Sequence, residues 1–258
     1  DVMDYKLLLD TAVMAGEIML RNGAETHRVE DTVRRMLSLS GLAKIEVFVI
    51  ATGFMVTLDN KDMDSMTVVR RIESRGTNLL KVHAVNSISR KFCSGQMTLE
   101  EAFHEVREIY RTHTKPKLQM AAIVAITAGF TVMFGGSAAD MIISAVTGII
   151  LAGMILLSKK TGMHMFISNI ICAIVIAVCA YFSTHYLPEG ILPGKFHQET
   201  IIVGCIMPLV PGAAITNAIL DTLYGDYISG SAKMLEAFLI ASAIAIGIAI
   251  GLGAMQMI

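Results

Sequence analysis

The chain has 258 residues, 54% hydrophobic and 17% charged, with 18 Met and no Trp. Its formal net charge of −1 argues against nucleic acid as a partner, because phosphate binding needs a basic surplus. The charges divide sharply, with 17 Lys/Arg and 16 Asp/Glu in residues 1–117 but only 4 and 6 in residues 118–258. The first part therefore reads as soluble and the second as membrane-embedded.

In chain order, "YKLLLDTAVMAGEIMLRNG" spaces its apolar residues as a helix does and stops at Asn22-Gly23. A second helical segment, "ETHRVEDTVRRMLSLSG", lines up Val29, Val33, Met36 and Leu37 and ends at Gly41. Three β-branched runs follow, "KIEVFVI", "GFMVTLD" and "SMTVVRRI", the last alternating as a half-buried strand should. Two more helices close the domain, one ending at Gly95 and one opening on a Thr98/Glu101 capping box. The order ααβββαα predicts an α+β domain over residues 1–115. No charged stretch, apolar run and cleavage pattern opens the chain, so no secretory signal is expected. Cys93, Cys172, Cys179 and Cys205 have no zinc-type spacing and read as free thiols.

Residues 116–258 predict an all-α polytopic membrane domain of five spans, at about 118–136, 140–158, 164–184, 200–220 and 233–257. Lys115, Lys117, Lys159, Lys160 and Lys233 fall on one side if the N-terminal domain is cytoplasmic, which predicts an N-in, C-out topology. Many secondary transporters join two repeated halves around a central site, and an odd span count without an internal repeat suggests one such half.

The fourth predicted span carries the chemistry. Pro208 and Pro211 each lack an N–H and break the helix, and Gly212 adds local freedom. Inside a bilayer such a break is tolerated only where protein or a water-lined cavity satisfies it. A half-helix starting after Pro211 would present its positive end to a carboxylate, with Asn217 to orient the substrate and Asp221 as proton carrier. Glu236 is a second proton-coupling candidate, although an ion pair with Lys233 three residues earlier would account for it. Ser168 and Asn169 in the third span suit either substrate hydrogen bonding or helix–helix adhesion. Asp226 reads as solvated at the interface.

His27 and Asp31 stand four apart on a helix, but two residues make no metal site, and neither metal nor cofactor is expected. No HExxH, GxSxG or phosphate-cradling loop occurs, so the chain reads as a non-enzyme.

Three stretches, "RNGAETHRVEDTVRRM", "ESRGTNLLKVHAVNSISRKFCSGQMTLEEA" and "PLVPGAAITNAILDTLYGDYISGSAKMLEAF", together resemble the threonine/serine exporter family of bacterial inner-membrane transporters. Full-length members join such a half to a second, smaller block of membrane helices. This chain is therefore similar to the larger subunit of the split form, which the resemblance associates with dicarboxylates such as succinate. The fused form is associated with threonine and serine. The implied partners are a small membrane protein supplying the second half, the lipid bilayer and a small carboxylate substrate, with a homo-oligomer as the arrangement if the chain acts alone. The alternative function is a non-transporting sensor or scaffold whose cytoplasmic domain binds a metabolite or partner.

Overall fold

Asp4 opens helix α1 (Tyr5–Arg21) by accepting hydrogen bonds from the Lys6 and Leu7 amides, each 3.0 Å long. The helix stops at Asn22, and Gly23 turns the chain at φ +88°, a conformation costly for a residue with a side chain. Helix α2 (Thr26–Leu37) folds back onto α1, where Gly16 permits close approach because a Cβ there would lie 2.8 Å from Val33 Cγ2. The computed structural model describes residues 4–60, 63–73, 75–112, 115–188 and 191–257. It divides into two units, Asp1–His113 with Gly212–Glu236 and Thr114–Pro211 with Ala237–Ile258.

In the first unit, β1 (Lys44–Ile50), β2 (Gly53–Asn60) and β3 (Met63–Arg71) form an antiparallel meander in that order. Strand alternation buries Val47, Val49, Phe54, Val56 and Leu58 on one face. The cross-strand row Phe48, Met55 and Val69 lies exposed on the other. Helices α3 (Leu79–Cys93) and α4 (Leu99–Arg111) complete the ααβββαα order, and the Thr98/Glu101 capping box is formed. The core joins Leu8, Met19, Val33 and Met36 to the inner sheet face and to Val85 and Val106. Each large apolar side chain in it contributes about 1.5–3 kcal/mol by leaving water.

The second unit contains α5 (Pro116–Met133), α6 (Ala138–Thr161), α7 (Met165–His185) and α8 (Gln198–Ile206). Small residues set its packing, as expected where lipid offers no hydrophobic drive between helices. Gly148 lies on Thr127, and Gly204 lies on Thr131, so close that neither glycine has room for a Cβ. Thr131 and Ser144, both fully buried, have their hydroxyl oxygens 2.7 Å apart between α5 and α6.

The chain continues through α9 (Gly212–Leu223) into α10 (Tyr227–Gln256). Gly247 and Gly251 of α10 lie on Ala173 and Ala177 of α7, where added Cβ atoms would stand 2.6 and 2.7 Å away. Among the described residues, four helices are long and apolar enough to cross a membrane: α5, α6, α7 and α10.

The expected fifth such helix, over 200–220, is instead two short ones. Helix α8 has nine residues, about 14 Å of rise, against a hydrocarbon core of about 30 Å. After it the Leu209 and Val210 amides both turn back to the Ile206 carbonyl, at 2.8 and 3.1 Å, and α9 begins only after Pro211. Two prolines that cannot donate in a helical ladder are the physical reason. The break is also a boundary between units. Residues 212–236, assigned from sequence to the membrane part, group with the first unit.

Candidate functional site

Helix α9 places Asn217 and Asp221 four residues apart, hence on one face. Gly225 turns the chain at φ +89°, and Asp226 Oδ1 accepts from the Ser229 amide at 3.0 Å to start α10. Gly230 then lets α10 lie against α9, since a Cβ there would stand 2.9 Å from the Ala218 carbonyl oxygen. This hairpin brings Lys233 back to Asp221.

Lys233 Nζ stands 2.6 Å from Asp221 Oδ2. The other carboxylate oxygen, Oδ1, accepts from the Thr26 amide at 3.0 Å and the Thr26 hydroxyl at 2.9 Å. Thr26 is the first residue of α2, so the carboxylate also meets the positive end of that helix. Asn217 Nδ2 donates to the Gly23 carbonyl at 2.7 Å, and Lys233 reaches the Ala24 carbonyl at 3.5 Å. Asp221 is fully buried and Lys233 is 6% exposed. A charge pair so enclosed holds only while both partners stay, because either alone is an uncompensated buried charge.

Around this pair, the His27 ring stacks on Tyr224 with centroids 3.8 Å apart, and its buried Nδ1 has no hydrogen-bond partner among the described residues. A cleft of about 460 Å³ opens there, lined by Thr26, His27, Glu30, Tyr224 and Asp226 among others. Asp226 is half-buried in its capping role. Ser229 Oγ accepts from the Ala51 amide at 3.0 Å.

Glu236 does not pair with Lys233, which Asp221 already holds. Its partner is Arg75, which also donates to the Ala51 carbonyl at 3.2 Å. Tertiary structure therefore replaces the intrahelical ion pair expected from i, i+3 spacing.

The residues singled out from sequence fall into two groups. Gly212, Asn217, Asp221 and Glu236 belong to the first unit, and Pro208, Pro211, Ser168 and Asn169 to the second. Asn169 is buried on α7 and Ser168 half-buried.

A further constellation in the second unit escaped the sequence reading. Asp140 is fully buried, accepting from the Ser137 and His197 amides at 2.8 Å each, with His197 Nδ1 also at 2.8 Å. It fastens the start of α6 to the start of α8. The Ser-x-x-Asp spacing of Ser137 and Asp140 is a capping-box signal visible in the sequence.

An α+β unit continuous with four long apolar helices defines a multi-pass membrane protein. The family model described as "Putative threonine/serine exporter" matches residues 10–255, and the chain belongs to that family. It is 22% identical over 98% of its length to 47% of a Mycobacterium tuberculosis protein named "Probable threonine/serine exporter". Proteins named "Pheromone-regulated membrane protein 10" from Eremothecium gossypii and Candida glabrata are 23% and 24% identical over 89% of the chain, which covers 31% and 29% of them. The chain thus spans about half, or less, of these curated relatives. No solved structure matches it.

Proposed function

We propose that this chain is one half of a proton-linked exporter of small carboxylate-bearing metabolites, a dicarboxylate such as succinate or the amino acids threonine and serine. The observation that carries the reading is the buried Asp221–Lys233 pair, seated on Thr26 near the far end of α9. Its carboxylate occupies a ready-made carboxylate site of two hydrogen-bond donors, one cation and a helix N-terminus. A cargo carboxylate that takes this place displaces Asp221, which then takes up a proton, and the proton leaves when the internal pair re-forms. Cargo binding and proton exchange are linked because Lys233 accommodates one carboxylate at a time.

Topology supports a transport path at the break. The proposed topology has five crossings, by α5, α6, α7, the segment from α8 through residue 211, and α10. Irregular backbone at membrane depth is stable only where protein or a water-filled cavity satisfies it. The lysines at 115, 117, 159, 160 and 233 then share one side, which by the positive-inside rule is the cytoplasm of a bacterial inner membrane. The second half of the exporter is a further block of membrane helices on a small partner subunit. The relative from Mycobacterium tuberculosis, 47% of which this chain covers, has room for such a second block.

Uptake of labelled succinate, threonine and serine into inverted membrane vesicles tests this, with an imposed proton gradient and with the chain alone or with its partner. Gradient-dependent accumulation requiring both chains is the expected result, and the label taken up names the cargo. No accumulation of any label in the two-chain vesicles would refute it.

A further inference from the structure

A second cleft of the first unit, about 690 Å³ in volume, is lined by Arg21, Arg75, Lys81 and Arg111, with Gly76 and Tyr110 between them. That volume suits a small metabolite. Two of the four cations have carboxylate partners. Glu17 lies 3.3 Å from Arg21 and accepts from the Tyr110 hydroxyl at 3.1 Å, and Glu236 pairs with Arg75. Lys81 and Arg111 have no carboxylate within 4.0 Å among the described residues. Lys81 reaches this cleft from the first turn of helix α3. Like charges gathered in a concave wall repel one another and focus a positive field into the opening.

We infer that this cleft binds a soluble small anion carrying two negative charges, held between Lys81 and Arg111 with Arg21 and Arg75 at its edge. Two cations without carboxylate partners among the described residues set the charge of the ligand, since a dianion neutralises both and a monoanion leaves one uncompensated. Guanidinium forks suit the planar oxygen pairs of carboxylates and the oxygens of phosphate alike. Arg75 gives the site a reach beyond itself. It is tied to Glu236, so a dianion that draws Arg75 away frees the position where α10 leaves this unit. The site is separate from the Asp221–Lys233 pair and stands whether or not that pair drives export.

The test is titration calorimetry of the full chain in neutral detergent at pH 8, with succinate and inorganic phosphate as probes and lactate as the monoanion. Both dianions should bind at least tenfold more tightly than lactate. Lys81→Ala/Arg111→Ala should weaken them at least tenfold while leaving the ligand-free melting temperature unchanged. Asp221→Asn/Lys233→Met should retain the binding, which separates this site from the export reading. Undiminished dianion binding by the Lys81/Arg111 variant, or lactate binding as tight as succinate, overturns the inference. So does displacement of succinate by phosphatidic acid in nanodiscs, which would assign the cleft to a lipid headgroup.

Discussion

Replacing Asp221 by Asn keeps a carbonyl oxygen for the Thr26 donors but leaves Lys233 charged and enclosed. Both oxygens of Asp221 are engaged, and both members of the pair are buried. Removing one partner of such a pair costs about 3–5 kcal/mol. For a unit of this size each kcal/mol is worth about 2–4 °C, so Asp221→Asn should melt roughly 10 °C below wild type. Lys233→Met should do the same by stranding the carboxylate. The double variant removes both charges, keeps the Thr26 contact and fills the lysine's volume, so most of the loss should return. Thermal unfolding in detergent, followed by circular dichroism across this double-mutant cycle, gives the coupling energy directly. Single variants each within about 1 kcal/mol of wild type and additive in the double would refute the buried pair, because exposed pairs behave that way.

In the second unit, Gly204→Ala forces a Cβ onto Thr131 and should destabilise by about 1–3 kcal/mol. Thr131→Ala in the same chain should not restore that loss in a thermal melt, because the Thr131 backbone nitrogen and Cα also lie within 2.9 Å of the new Cβ. Burial pushes the Cys93 thiol up, against partial opposition from the Ser89 hydrogen bond and the Arg35 charge. Its thiolate fraction at pH 8 therefore falls below that of a free cysteine. Alkylation of a variant retaining only Cys93 should be slow at pH 8 and accelerate above the ordinary thiol range, read by mass spectrometry against a peptide control.

Local signals were legible in the sequence because their causes are local. Asn22-Gly23, Gly41 and the Thr98/Glu101 box end or start helices through neighbours a few residues away, and strand alternation in 44–50 and 53–60 follows from burial of one face. The long apolar runs of α6, α7 and α10 needed only length and composition. The segment over 200–220 misled because hydropathy averages across the Pro208–Pro211 break and is blind to where each side packs. The partners of its polar residues are far away in the chain. Thr26 lies 195 residues before Asp221, and Arg75 lies 161 before Glu236. Lys233 was nearer to detection. An acid and a base on opposite arms of the Gly225 turn, both in apolar surroundings, are the pattern a helical hairpin uses to bury a pair. Asp140 shows only its capping signal locally, because its other partner, His197, lies 57 residues further along the chain.

The most direct measurement of the central claim uses the Asp221→Asn/Lys233→Met variant, because its fold should survive while its exchangeable carboxylate is gone. Its gradient-driven uptake of succinate, threonine and serine would be compared with wild type in inverted vesicles containing the partner subunit, at equal membrane abundance. The account predicts a near-wild-type melting temperature with gradient-driven accumulation abolished. Accumulation at the wild-type rate would contradict it and reduce the Asp221–Lys233 pair to a clasp between α2, α9 and α10.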